Sequence, residues 1–267
     1  MNVFQALIYG IVQGITEFLP ISSTAHLNIL PLLMHWTEPS KIYGDAFDIS
    51  LHLGTALAVI LYFFKDWVDL IKGGFTSPRG KDGRLFWLIV AATVPGAVFG
   101  VLLDKYMNGF PIWATGVLLI AVGLLLYWFD TRARSDIRLD RLSLGQSLII
   151  GFSQILAIMP GVSRSGVTMT TARALGINRA SAAKFTFLMS TPIILGDALY
   201  HMRGLNTTHG TLLPLIAAVA ASAVAGILSI GFLLNFLKTK GFFAFAVYRF
   251  AAGALVLALF FAGWFKY

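Results

Sequence analysis

Apolar residues in this chain come in blocks of helical length, divided by short polar punctuation. Residues 85–103 and 142–163 carry no charged side chain, and runs of that length cross or enter a hydrocarbon layer about 30 Å thick. The blocks predict spanning helices over 49–64, 85–103 (kinked at Pro95-Gly96), 112–129, 185–200, 212–237 and 242–264. Two further pairs of segments, 3–18 with 27–34 and 142–159 with 166–175, are too short or too polar to span alone. Each pair is divided by a proline, Pro20 or Pro160, followed by hydroxyl residues suited to cap a new helix. The pairs therefore read as re-entrant, with a non-helical tip that must face protein or a wet cavity.

The polar stretches 35–48 and 65–84 read as connections, and 130–141 as the joint between two halves, 1–130 and 142–267, of one membrane domain. Each half holds one broken pair and three spans. An odd number of crossings turns the second half upside down relative to the first. The expected fold is an all-α polytopic membrane bundle with an inverted-topology repeat, six spanning helices and two re-entrant helical pairs.

Composition agrees, with 57% hydrophobic residues, 12% charged and a mean hydropathy of +0.79. The net charge of +8 does not point to nucleic acid, because the basic residues lie in short segments between apolar blocks. Segments 65–84, 130–141, 171–184 and 237–241 hold 5, 4, 3 and 2 of them, and the opposite side only Lys41, Lys105, Arg203 and Lys266. This 14 to 4 bias places both termini outside the cytoplasm. The absence of cysteine excludes disulfides and thiolate chemistry. The N-terminal segment lacks a basic start and a small-residue cleavage site, so it is expected to stay in place.

The chemistry concentrates at the two breaks. Gln13 and Glu17 share a helical face one turn before Pro20. Their oxygens suit a hard cation, Mg²⁺ or Ca²⁺, although Glu17 is equally placed to be the ion-pair partner of Arg164. Of Ser22, Ser23 and Thr24, one reads as a helix cap, and three in succession leave at least one spare. His26 lies three residues after Ser23, within reach of its hydroxyl or of a phosphate oxygen, or else is a packing histidine. The second break combines Gly161, Ser163, Arg164, Ser165, Gly166 and Thr168, the composition of an anion cradle. A phosphate-bearing amphiphile is the ligand class expected. Asp48, His52, Asp197 and Arg249 read as snorkelling or helix-pairing residues.

These two segments resemble the signatures of the bacterial undecaprenyl-diphosphate phosphatase (bacitracin-resistance) family, and length and spacing match along essentially the whole chain. The first signature is filled by Gln13, Glu17, Ser22, Ser23, Thr24 and His26, and the second by residues 160–168. The resemblance implies hydrolysis of an isoprenyl diphosphate lipid to the monophosphate and inorganic phosphate, recycling the carrier for cell-wall synthesis. It places a multi-pass enzyme in the bacterial plasma membrane, its site opening to the periplasmic or extracellular side. It also implies Glu17, Ser23, His26 and Arg164 as catalytic residues, and Ser22, Thr24, Gly161, Ser163, Ser165, Gly166 and Thr168 as substrate-binding ones. Gln13 and Glu17 would hold the metal, with Gln13 standing where other members carry a second glutamate. Serine or water as nucleophile stays open, and membrane lipids and a second copy of the chain are the expected partners. A different lipid-phosphatase family needs a histidine where Thr170 stands. The alternative function is a lipid-phosphate or anion transporter on the same repeat.

Overall fold

The computed structural model describes residues 1–103, 109–202 and 211–265, so Lys105, Arg203 and Lys266 of the charge bias, and the side chain of Asp197, lie outside the described residues. The first half comprises α1 (Val3–Phe18), α2 (Ser23–Met34), α3 (Ser40–Tyr43), α4 (Ala46–Tyr62), α5 (Phe64–Thr76), α6 (Lys81–Leu103) and α7 (Ile112–Arg132). The second comprises α8 (Leu144–Ser153), α9 (Arg164–Ala174), α10 (Arg179–Met202), α11 (Leu212–Phe236) and α12 (Phe243–Phe261). Both break-bearing helices start on a capping box, Asn2 with Gln5 in α1 and Ser143 with Gln146 in α8.

α6, α7, α11 and α12 are each long and apolar enough to cross a membrane, and α4 with α5, bent by 74° between them, makes a fifth if the pair is one broken span. The protein is thus a multi-pass membrane protein. Of the six expected spans, the one over 185–200 falls in α10, which has 24 residues but carries Arg179, Lys184 and several hydroxyls. The connection expected over 65–84 is largely the helix α5. Its apolar residues Phe64, Val68, Ile71 and Phe75 recur at helical spacing and stay exposed, with Lys65, Asp66, Asp69 and Lys72 between them. That pattern forms an amphipathic helix rather than a coil.

Small residues let the short helices approach the long ones. A Cβ at Gly10 would come within 2.6 Å of the Ala218 carbonyl of α11, and one at Gly14 within 2.5 Å of the Ser222 carbonyl. In α8, a Cβ at Gly151 would collide with the Ala92 carbonyl of α6. Glycine at these positions permits backbone contact where burial against lipid supplies no drive for association. The contacts repeat between halves: α1 and α4 pack on α11 as α8 and α10 pack on α6, while α4 meets α10 and α7 meets α12. The largest core cluster joins the halves, with Phe18 edge-on to Phe187 at 5.5 Å.

One end of the bundle is tied by charge. Asp130, at the end of α7, accepts from Arg173 Nε at 3.0 Å, Arg179 Nε at 2.7 Å and the Phe242 amide at 3.0 Å. Arg173, only 1% exposed, also donates to the Ile177 carbonyl at 2.6 Å and to Ser135 Oγ at 2.8 Å. Lys184 pairs with Asp66 nearby, so segments 65–84, 130–141, 171–184 and 237–241 adjoin. Removing one partner of a fully buried pair leaves an uncompensated charge and costs about 3–5 kcal/mol, against about 0–1 kcal/mol for an exposed pair. Asp130→Asn should therefore sharply lower the unfolding temperature in detergent, and Asp66→Asn should leave it nearly unchanged. Equal shifts in a thermal melt would remove the Asp130 cluster from its structural role.

Candidate active site

α1 stops because Pro20 has no amide to donate, and its last bond runs from the Leu19 amide to the Ile15 carbonyl at 3.3 Å. The chain turns through Ser22, whose φ of +77° lies in the region L-residues rarely adopt, and Ser22 Oγ then caps α2 from the Ala25 amide. The second break repeats this. α8 tightens into a 3₁₀ turn over Gln154–Ile158, and Ser163 at φ +73° caps α9 through the Gly166 amide at 3.1 Å. Ser165 Oγ donates to the Leu19 carbonyl at 3.0 Å, so the two tips touch.

Between the tips lies a compact polar group. Ser23 Oγ donates to Glu17 Oε2 at 2.6 Å, and Gln13 Nε2 lies 3.4 Å from the same oxygen. Glu17 Oε1 is 4.0 Å from Arg164 Nη2, a loose pairing that leaves both groups capacity for a ligand. Arg164 Nη1 and Gln13 Oε1 are buried without a hydrogen-bond partner among the described residues. Unspent buried polar atoms are costly unless something else satisfies them. A buried carboxylate already holding a serine proton, facing a guanidinium with a free donor, can activate the hydroxyl beside a bound tetrahedral anion.

Among the described residues His26 makes no hydrogen bond to Ser23, and its ring is held as a packing histidine would be. His26 Nδ1 lies 2.7 Å from the Ser22 carbonyl and Nε2 lies 2.6 Å from Tyr248 Oη, with the two rings stacked at 5.6 Å. A carbonyl only accepts, so Nδ1 carries the proton and, in the neutral ring, Tyr248 donates to Nε2. Helical spacing put His26 near Ser23, but the backbone carbonyl one turn back captured the ring. Thr24 is exposed at the rim, whereas the Thr168 hydroxyl is buried on the Arg164 carbonyl at 2.7 Å and Thr186 Oγ1 at 3.1 Å. Ser163 Oγ and Ser165 Oγ are 3.2 Å apart. Gly161, at φ +97°, packs against α7, where a Cβ would lie 2.5 Å from the Thr115 carbonyl.

Residues 6–255 match the family model for bacitracin resistance protein BacA, a range that contains both breaks and α12 up to Leu255. The chain belongs to the bacitracin resistance protein family. A family relative from Caldicellulosiruptor bescii, named undecaprenyl-diphosphatase, is 44% identical over 266 residues, covering 97% of this chain and 98% of its own. One of the same name from Moorella thermoacetica is 45% identical over 264 residues, with 97% and 98% covered. Another, from Geobacter sulfurreducens, is 42% identical over 272 residues, with 98% and 100% covered.

In this family member the structure adds two residues that sequence reading passed over or assigned to helix pairing, Tyr248 and Arg249. Their one signal is a Tyr-Arg pair inside the apolar block 242–264. With Arg164 holding a free donor, inorganic diphosphate at about ten times its Kd should raise unfolding free energy by about 1.4 kcal/mol. Arg164→Ala should abolish this shift in a detergent thermal melt, and a shift that survives would move the anion elsewhere.

Proposed function

We propose that this protein hydrolyses undecaprenyl diphosphate to undecaprenyl phosphate and inorganic phosphate, recycling the lipid carrier for cell-wall synthesis. The observation that carries the reading is the 2.6 Å hydrogen bond from Ser23 to buried Glu17 beside an Arg164 with an unspent donor. The name borne by relatives over 40% identical along nearly their full length supports the same substrate.

Arg164 draws the terminal phosphate toward Ser23 and offsets charge on its oxygens. Glu17 takes the Ser23 proton as Oγ bonds to phosphorus, the anhydride P–O bond breaks, and the lipid monophosphate leaves with the electron pair. Water then attacks the phosphoserine. Ser23 recovers its proton from Glu17, and the water's proton passes to His26 Nε2 once the Tyr248 hydroxyl turns away. Ser22 and Ser163 act by capping the helices that carry these groups. Thr24 stands at the rim, Ser165 and Thr168 brace the second break through the Leu19 and Arg164 carbonyls, and Gly166 leaves room for Arg249, while the isoprenyl tail stays between helices in lipid.

A resident Mg²⁺ or Ca²⁺ fits the donor set, since Gln13 Oε1 is buried without a partner and Glu17 supplies carboxylate oxygens. Gln13 and Glu17 would hold it. Among the described residues no cluster of three or more His, Cys, Asp or Glu surrounds them, so substrate oxygens and water would complete its shell. When bound, it would neutralise charge on the diphosphate.

The finer architecture is proposed as six spans, α4, α6, α7, α10, α11 and α12, with α1/α2 and α8/α9 re-entrant and residues 1–130 and 142–267 as inverted halves. Support comes from the repeated contacts and from spacing. A glycine precedes Gln13 and Gln154 by three residues, and a left-handed capping serine follows each by nine. α10 would be about 36 Å long at 1.5 Å per residue, enough to cross. With the clustered basic segments cytoplasmic, both termini face out and the site opens to the periplasmic or extracellular side of the bacterial plasma membrane.

Purified protein in detergent should release phosphate from undecaprenyl diphosphate without any gradient; silence there would favour transport. Ser23→Ala should lower turnover at least about 100-fold, and a loss of only a few-fold would make water the nucleophile. Gln13→Glu should lower the Mg²⁺ concentration giving half-maximal activity and tighten Ca²⁺ binding in calorimetry. An unchanged titration together with full activity in chelator would remove the metal from Gln13 and Glu17.

A further inference from the structure

Arg249 is fully buried on α12, a membrane-spanning helix, and among the described residues it pairs with no carboxylate. Its guanidinium is satisfied by backbone carbonyls alone. Nη1 donates to Pro20 at 3.1 Å. Nη2 donates to Gly161 at 2.7 Å, Val162 at 3.2 Å and Leu118 at 3.4 Å, and Nε donates to Leu119 at 3.0 Å. The first of these carbonyls is the tip of the first break, the next two form the tip of the second, and the last two lie on α7.

Two glycines keep this position open. A Cβ at Gly166 would lie 3.1 Å from Arg249 Nη1, and one at Gly123 would lie 3.1 Å from Arg249 Cβ. A charge of this kind in an apolar interior is tolerated only where its field and donors are answered, and both tips have carbonyls that no helix can satisfy. The Pro20 carbonyl is three residues from Ser23, and the Gly161 and Val162 carbonyls are three and two residues from Arg164. One rigid fork thus spans the backbone of both reacting elements.

We infer that Arg249 is a positioning residue that sets the register between the break carrying Ser23 and Glu17 and the break carrying Arg164, without touching substrate. The inference rests on the phosphatase reading for its kinetic consequence, though not for its structural one. A planar guanidinium reaches three elements at once, whereas the ammonium of lysine is a point donor that cannot serve both tips in the same geometry.

The test is Arg249→Lys in detergent, read in two ways. Hydrogen exchange should lose protection in peptides covering 20–26 and 161–168 together, with α4, α6 and α11 unchanged. Turnover should fall at least about tenfold with KM within about threefold, as misplacement of reacting groups predicts. In an Arg164→Lys background the same change should cost less than about threefold more, because the two residues act on one geometry. Protection unchanged at either break, protection lost throughout the bundle, or equal losses in both backgrounds would overturn the inference. If the parent releases no phosphate, the phosphatase reading fails and the exchange result still judges Arg249.

Discussion

A helix interrupted inside a protein leaves carbonyls and amides without intrahelical partners, and the rest of this structure answers that constraint. At each break a serine in a left-handed conformation turns the chain and caps the next helix, satisfying amides. Carbonyls are the harder half, because they need donors from outside the segment. Arg249 supplies them to both tips at once, and Ser165 supplies one to Leu19. The two breaks are therefore held against each other by the same bonds that make them tolerable, and Glu17, Ser23 and Arg164 are brought together as a consequence.

Two acidic residues show how distance separates a saturated charge from a loosely paired one. Asp130 is saturated, with two guanidinium groups and an amide within 3.0 Å, and so has nothing left for a ligand. Glu17 is almost as buried but sits 4.0 Å from its nearest cation and holds a serine proton instead. A loose pair in a low-dielectric site carries unmet electrostatic demand, which is the state expected before an anionic substrate arrives. The same contrast explains why Arg173 is tied down by five other residues while Arg164 keeps a free donor.

The equal spacing of glycine, glutamine and capping serine around the two breaks, with different chemistry beyond it, is economical. Gln13 and Gln154 occupy matching places and both keep a buried oxygen without a partner, yet Glu17 is matched by Ile158 and Ser23 by Arg164. One half thus contributes the carboxylate and hydroxyl and the other the cation. Neither break alone holds all of the candidate site.

Much was legible from residue order because its causes are local. Helix boundaries follow the length of apolar runs, and the breaks follow from Pro20 and Pro160 with hydroxyls after them. Gln13, Glu17, Ser23 and Arg164 stand out as polar groups that an apolar segment would not carry without a use. What residue order did not contain was direction across the molecule. The pairing of Ser23 with Glu17 rather than His26 depended on which carbonyl the imidazole met first. The amphipathic α5 showed itself as a helix only where its apolar stripe stayed exposed. Arg249, one charge in an apolar block, acquired its meaning when α12 brought it against two tips more than eighty residues away. Side-chain spacing decides what shares a face, but which faces meet is set by packing among distant helices, and so the joint between the two breaks was decided by the tertiary structure.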